Sequence, residues 1–332
     1  MNLFKLISTF IITIFSVSAV TVAQVPLYTY PADDGTKSYY VTGGNEVKIF
    51  VEEKGDPTKT TIIFSSGFTT SSKSWNPQWF DPEIYENFHI VRYDYRGIGN
   101  SDKPNTNMIP NSIVLNDEKF NRYLGDPNSN PYSYDLKATD LFAIINKLSS
   151  DYDFKNKKIV LVGWSIGTPI SLNFMKNYPD IKIDGFISVA GFVNNTREIS
   201  DKTFTLFQKI MDPENLNNIA SGLDEFIKLF SFKPFSYELY SFFMGTSIMA
   251  PFEYRISVAV QVSFTEFYSN LTIPTLHIIG EKDSLVNMEH SLYFASLGQN
   301  SESIIYKDIG HCPLWENIKE FNKDIINFVS KI

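Results

Sequence analysis

Lys158–Pro179, KIVLVGWSIGTPISLNFMKNYP, passes within a few residues from an apolar, β-branched run to a helical spacing, and Ser165 stands at the junction between two glycines. A short, wholly apolar run followed directly by an amphipathic segment predicts a buried strand over Lys158–Trp164 and a helix from Ile166. Gly163-Trp164-Ser165-Ile166-Gly167 then forms the hinge, the strand, turn and helix context of a nucleophile elbow. In such a turn the serine takes a strained backbone conformation that lifts its hydroxyl above the carboxyl ends of the strands. The helix N-terminus there favours negative charge.

A serine hydroxyl is a weak nucleophile until a base takes its proton, and the base needs a third group to fix its tautomer. Asp283 follows the strand pattern PTLHIIGEKD, and His311 follows SIIYKDIGH. Both sit where the end of a strand would bring them back to Ser165. His89 and His277 fall inside strand patterns and His290 in a helix, which leaves His311 as the best-placed base. Asp283 could instead only cap the helix that follows it.

Outward from the elbow, strand candidates EVKIFVE, TTIIFSS, FHIVRYD, KIVLVGW, GFISVAG, TLHIIGE and SIIYKDI alternate with helix candidates at Tyr134–Leu148, Ile166–Tyr178, Asn287–Leu297 and Glu316–Val329. The later strands are apolar almost throughout, as central parallel strands are. This rhythm predicts an α/β fold with a mostly parallel, doubly wound sheet. Two stretches interrupt it. Lys103–Pro131 is rich in Pro, Asn and Gly and too long for an ordinary connection, so it reads as a functional loop or an insertion. Residues 192–267 are mainly helical and heavy in Phe, Tyr and Met, as in EFIKLFSFKPFSYELYSFFMGTSIMAPFEY, and read as a helical cap inserted into the sheet domain. The expected organisation is a signal peptide over 1–23, an α/β core over 24–191 and 268–332, and a cap over 192–267.

The signal peptide rests on MNLFKLISTFIITIFSVSAVTVAQ: one cation, Lys5, then an apolar core, then small residues ending at Ala19 or Ala23. An uncleaved signal anchor is the alternative, and no later stretch is long and apolar enough to span a bilayer. Export would leave a chain with one cysteine, Cys312, which cannot form an internal disulfide and reads as a small buried hydrophobe. Asn194 and Asn270 head glycosylation sequons, meaningful only on a eukaryotic secretory route. A net charge of −8 with scattered lysines argues against a nucleic-acid partner. At 332 residues and 43% hydrophobic, the chain can bury one large core without cross-links.

Four further motifs support the elbow: FSSGFTTSSKSW (Phe64–Trp75), YDYRGIGNSDKP (Tyr93–Pro104), GEKDSLVN (Gly280–Asn287) and GHCPLWENIKEF (Gly310–Phe321). With the order serine, acid, histidine, the chain from Glu46 to Ile332 resembles the capped members of the α/β-hydrolase superfamily, and the four motifs resemble the oxyanion loop, glycine-rich turn, acid segment and histidine segment of that family. The resemblance implies that Phe68 and Ile166 offer backbone N–H groups to an oxyanion; no metal or organic cofactor is implied. It also has departures. Ser66 stands where members commonly carry a histidine before the oxyanion-loop glycine, which predicts altered loop packing with the backbone donors retained. Thr168-Pro169 replaces a second glycine after the elbow, tolerable in a helix's first turn. Asp94 and Arg96 read as structural ties of the turn.

The expected activity is a secreted serine hydrolase acting on an ester or similar acyl bond of a small lipophilic molecule. Ser165 is the nucleophile, His311 the base and Asp283 its orienting acid. A serine nucleophile argues against epoxide hydrolysis or dehalogenation. Two alternatives stay open: an aminopeptidase resembling proline iminopeptidases, for which the cap would have to gather acids from among Asp212, Glu214, Asp224, Glu225, Glu238 and Glu253, and a catalytically silent binding protein on the same fold.

Overall fold

Eight strands assemble in the order β1-β2-β4-β3-β5-β6-β7-β8 in the computed structural model, which describes residues 34–104, 126, 128–152, 157–195, 201–212 and 215–332. The expected signal peptide and most of the Lys103–Pro131 stretch lie outside the described residues. β1 (Lys37–Thr42), β2 (Lys48–Lys54) and β4 (His89–Tyr93) pair antiparallel. β3 (Thr61–Ser65), β5 (Ile159–Trp164), β6 (Gly185–Val189), β7 (Thr275–Gly280) and β8 (Ser301–Tyr306) continue from β4 in parallel. β3 through β7 are buried at every residue, because helices cover both sheet faces. Ser65 turns toward the helix Gly167–Asn177, whose first residue lies against it. Its neighbour Phe64 points the opposite way, as successive strand residues must. Phe64 there meets Trp75 at 4.8 Å, and Trp75 in turn packs on Phe321 of the helix Ile318–Val329.

Two strands depart from expectation. β1 has no counterpart among the strand candidates: its six residues, KSYYVT, are mostly exposed at the sheet edge and carry too short an alternation to stand out. β8 is the opposite edge, with Ile305 48% exposed, so SIIYKDI is not a central strand, and it ends at Tyr306 before the turn at Asp308.

Between β6 and β7 the chain runs through the helices Asp201–Ile210, Leu216–Lys228, Tyr237–Ile248, Phe252–Ser257 and Thr265–Ser269. Leu216–Lys228 shows why they form: Asn215 caps the backbone N–H groups of Asn217 and Asn218, and Ile219, Leu223, Phe226 and Ile227 make one buried face.

His277 in β7 is a structural histidine, buried with Nε2 2.7 Å from the Tyr268 hydroxyl. Burial pushes its pKa down to about 3 from the usual 6.5. The unfolded chain therefore takes up a proton below pH 6.5 that the folded chain refuses until about pH 3. Stability is complete above the upper limit and falls through the window by about 1.4 kcal/mol per pH unit. Replacing His277 with Gln should flatten this acid limb, read as the urea midpoint against pH; an unchanged slope would rule out His277 as its source.

Candidate active site

Ser165 has φ +53°, the left-handed region that a non-glycine residue enters only under constraint. The constraint is visible on both sides. Ser165 N–H donates to the Val189 carbonyl of β6 at 2.9 Å, and Thr168 N–H returns to the Ser165 carbonyl at 3.0 Å. A Cβ at Gly163 would lie 2.5 Å from the Gly167 backbone, and one at Gly167 would lie 2.5 Å from the Ser65 carbonyl oxygen. Both glycines of the elbow are thus required by close approach. Pro169 sits in the first turn of the helix, where no backbone donor is lost, and Thr168 Oγ1 donates to the Gly163 carbonyl at 3.0 Å.

β3 lies beside β5 with Ser65 opposite Gly163, so the loop Ser66–Ser71 leaves the sheet next to the elbow. Hydroxyls hold this loop: Ser66 Oγ donates to the Ser71 carbonyl at 3.2 Å, and Tyr95 donates to the Ser66 carbonyl at 3.0 Å. Among the described residues, neither Phe68 N–H nor Ile166 N–H is engaged in a hydrogen bond.

Asp283 and His311 come from the loops after β7 and β8, and Lys282 N–H to the Ile309 carbonyl (2.8 Å) ties those loops together. Asp283 Oδ1 accepts from the backbone N–H groups of Leu285 (2.8 Å) and Val286 (2.9 Å), while Oδ2 accepts from His311 Nδ1 at 2.7 Å. The cap of the following helix is Asn287, so capping is not the work of Asp283. Both partners of the Asp283–His311 pair are buried. Trp164 Nε1 donates to the His311 carbonyl at 2.8 Å, which seats the imidazole beside the residue preceding Ser165. No hydrogen bond joins Ser165 Oγ to His311 in this structure; such contacts commonly tighten only with substrate bound.

The other singled-out residues are structural. Asp94 accepts from Ser72 N–H (2.7 Å) and Asn100 N–H (2.9 Å), and Arg96 makes a two-pronged pair with Asp140 at 2.7 and 2.6 Å. Cys312 is buried, and burial holds its thiol pKa well above the ordinary value. His89 meets Thr61 in the sheet at 3.1 Å. Among the acids of this stretch, Asp224 pairs with Lys228 and Tyr240, Glu225 with Lys209, and Asp212 with Asn215 and Asn218. Glu214 lies outside the described residues. Among the described residues no group of three or more His, Cys, Asp and Glu is arranged to hold a metal ion.

Two contributors escaped the sequence reading. Trp164 is the variable residue of the elbow, and nothing local marks its bond to a histidine far along the chain. Glu316 accepts from Gly310 N–H (2.9 Å) and from Phe232 N–H of the insertion (2.8 Å), bridging the histidine loop and the inserted helices. Its half-buried carboxyl has its pKa raised by desolvation. Aromatic rings continue that bridge: Phe230 lies 6.2 Å from His311 and 5.0 Å from Phe226, and Phe226 lies 5.7 Å from Phe68.

A curated relative from Klebsiella pneumoniae, 2-hydroxy-6-oxononadienedioate/2-hydroxy-6-oxononatrienedioate hydrolase, is 23% identical over 87% of this chain and 93% of its own. Among solved structures, an assigned aryl esterase of Burkholderia cenocepacia superposes with a TM-score of 0.73 at 26% identity, covering 89% of this chain and 98% of that one. An esterase of Exiguobacterium antarcticum gives a TM-score of 0.71 at 19% identity, covering 89% and 100%. The profile of the alpha/beta hydrolase fold matches residues 60–318, a span that takes in β3 through β8 with the elbow, acid and histidine loops, and the chain belongs to the alpha/beta hydrolase fold family.

Proposed function

We propose that this hydrolase is a secreted serine esterase acting on a lipophilic small molecule. The observation that carries the reading is the division of labour on Asp283: backbone N–H groups hold one oxygen, and the other meets His311 at 2.7 Å. An ionised carboxylate so fixed keeps the imidazole proton on Nδ1 and leaves Nε2 bare as a base. In the proposed cycle Ser165 Oγ attacks the ester carbonyl as Nε2 takes its proton. Phe68 and Ile166 N–H groups receive the oxyanion, and the imidazolium protonates the departing alkoxide. Water, activated by the same imidazole, then releases the acid from Ser165. Each oxyanion donor contributes on the order of a hundredfold in rate.

The substrate reading rests on the aromatic rings that run from Phe68 through Phe226 and Phe230 to His311, walls that would solvate acyl carbon and not charge. Each added methylene in such surroundings contributes about 0.8 kcal/mol, so kcat/KM should rise severalfold per carbon from acetate to medium-chain esters. The measurement is kcat/KM over a homologous ester series, run beside proline-terminal aminoacyl amides and the dioate substrate named for the Klebsiella relative. A flat series rejects the apolar walls, and a preference for the amides moves the assignment to an aminopeptidase.

Export is the second element of the proposal, supported by the pattern of Met1–Gln24. N-terminal sequencing of protein from its own kind of cell should find Val20 or Gln24 first; an intact Met1 in the membrane fraction would favour the anchor. Of the two sequons, Asn270 is exposed whereas Asn194 is buried with Nδ2 on Thr265, so any glycan belongs on Asn270.

A further inference from the structure

The loop that carries Phe68 meets the inserted helices in a buried polar contact. Thr69, the next residue, has φ +59°, a conformation that a β-branched side chain enters only under constraint. Its Oγ1 lies 2.7 Å from the Phe68 carbonyl and 2.9 Å from Ser247 Oγ, in the last turn of the helix Tyr237–Ile248. Thr69 and Ser247 are both fully buried, at 0% exposure. Thr69 Oγ1 is the donor in both contacts, so its one proton is shared between the Phe68 carbonyl and Ser247 Oγ. The Phe68 ring is also gripped by the insertion, stacked on Tyr254 at 5.9 Å and 12° and set edge-on to Phe226.

We infer that Ser247 is a positioning residue: through Thr69 it anchors the peptide that follows Phe68, and so the loop that carries Phe68 N–H, coupling the seating of the inserted helices to the proposed oxyanion site. The inference rests on the hydrolase reading above. The Phe68 carbonyl belongs to the peptide unit between Phe68 and Thr69, so the bond from Thr69 Oγ1 restrains ψ at Phe68. Ser247 restrains that hydroxyl in turn. A donor serves an oxyanion only if it is already aimed when charge develops, so slackness here costs transition-state binding and leaves substrate binding largely intact.

The test compares Ser247→Ala, Thr69→Val and their double variant with the unaltered protein on one good ester, and measures inhibition by an alkylboronic acid, which forms a tetrahedral adduct on the serine. Ser247→Ala should lower kcat about tenfold, the worth of a typical buried hydrogen bond, with KM within about twofold. The boronate inhibition constant should weaken by the same factor as kcat. Thr69→Val, which removes both contacts of that hydroxyl, should lose at least as much, and the double variant should lose little more than Thr69→Val alone, since Ser247 acts through Thr69. Ser236→Ala supplies the structural control. Ser236 caps the far end of the same helix through Leu239 N–H at 3.2 Å, and its loss should lower Tm without moving kcat or the boronate constant. An unchanged kcat in Ser247→Ala, a loss confined to KM, or additive single losses would overturn the inference while leaving the hydrolase reading intact. Should Ser247→Ala not fold, Thr69→Val decides alone by the same kcat and boronate readings. An unaltered protein inert on every acyl ester would remove both.

Discussion

Ser165→Ala should lower kcat on the order of a millionfold while leaving the folded protein as stable as before. The two halves of that expectation have separate grounds. Activity should fall because Ser165 carries the only hydroxyl of Gly163–Gly167, the elbow between β5 and the helix Gly167–Asn177, and is the nucleophile of the proposed cycle. Stability holds because Ala and Ser share a Cβ, so the strain of φ +53° is the same in both. Ser165 Oγ also has no hydrogen-bond partner among the described residues, and its removal orphans nothing. A fluorophosphonate probe followed by peptide mapping supplies the check. The unaltered protein should carry the label on Ser165 and the variant none. Label on another residue, or turnover surviving in the variant, would reject the mechanism.

The elbow was legible in the sequence because its causes are local. Gly163 and Gly167 are demanded by a helix folding back on its own strand, all within five residues. Asp283 and His311 were legible for a related reason: each follows an apolar strand, and a parallel sheet sends all such ends to one edge. The contacts of Trp164, Glu316 and Ser247 were not legible. Trp164 meets His311 across 147 positions and Thr69 meets Ser247 across 178, and neither partner carries a spacing that points to the other. The same limit explains β1, whose pairing with β2 comes from register and not from an apolar run of its own. It also explains β8, whose apolar look suited a central strand although its position at the sheet edge exposes Ile305. Composition says how much surface a residue prefers to bury, and only topology says whether a neighbour is there to bury it.

Asp283→Asn should cost about ten-thousandfold in kcat with little change in KM, a larger loss than the small steric change would suggest. The reason lies in the two oxygens of Asp283. Oδ1 accepts from Leu285 and Val286 N–H groups, so in the variant the amide oxygen must occupy that position, since an NH2 there would face two donors. The amide nitrogen is thereby forced into the place of Oδ2, 2.7 Å from His311 Nδ1, and presents hydrogen where the imidazole now presents its own. The pair can be satisfied only if the imidazole proton moves to Nε2. That tautomer cannot take the Ser165 proton. Asp283→Ala, by contrast, leaves the tautomer unforced and removes the anchor, so it should retain more activity than Asp283→Asn at alkaline pH. A kcat profile from pH 6 to 10 for both variants provides the measurement, and an Asn variant as active as the Ala variant throughout would show that orientation of His311, and not its tautomer, is what Asp283 supplies.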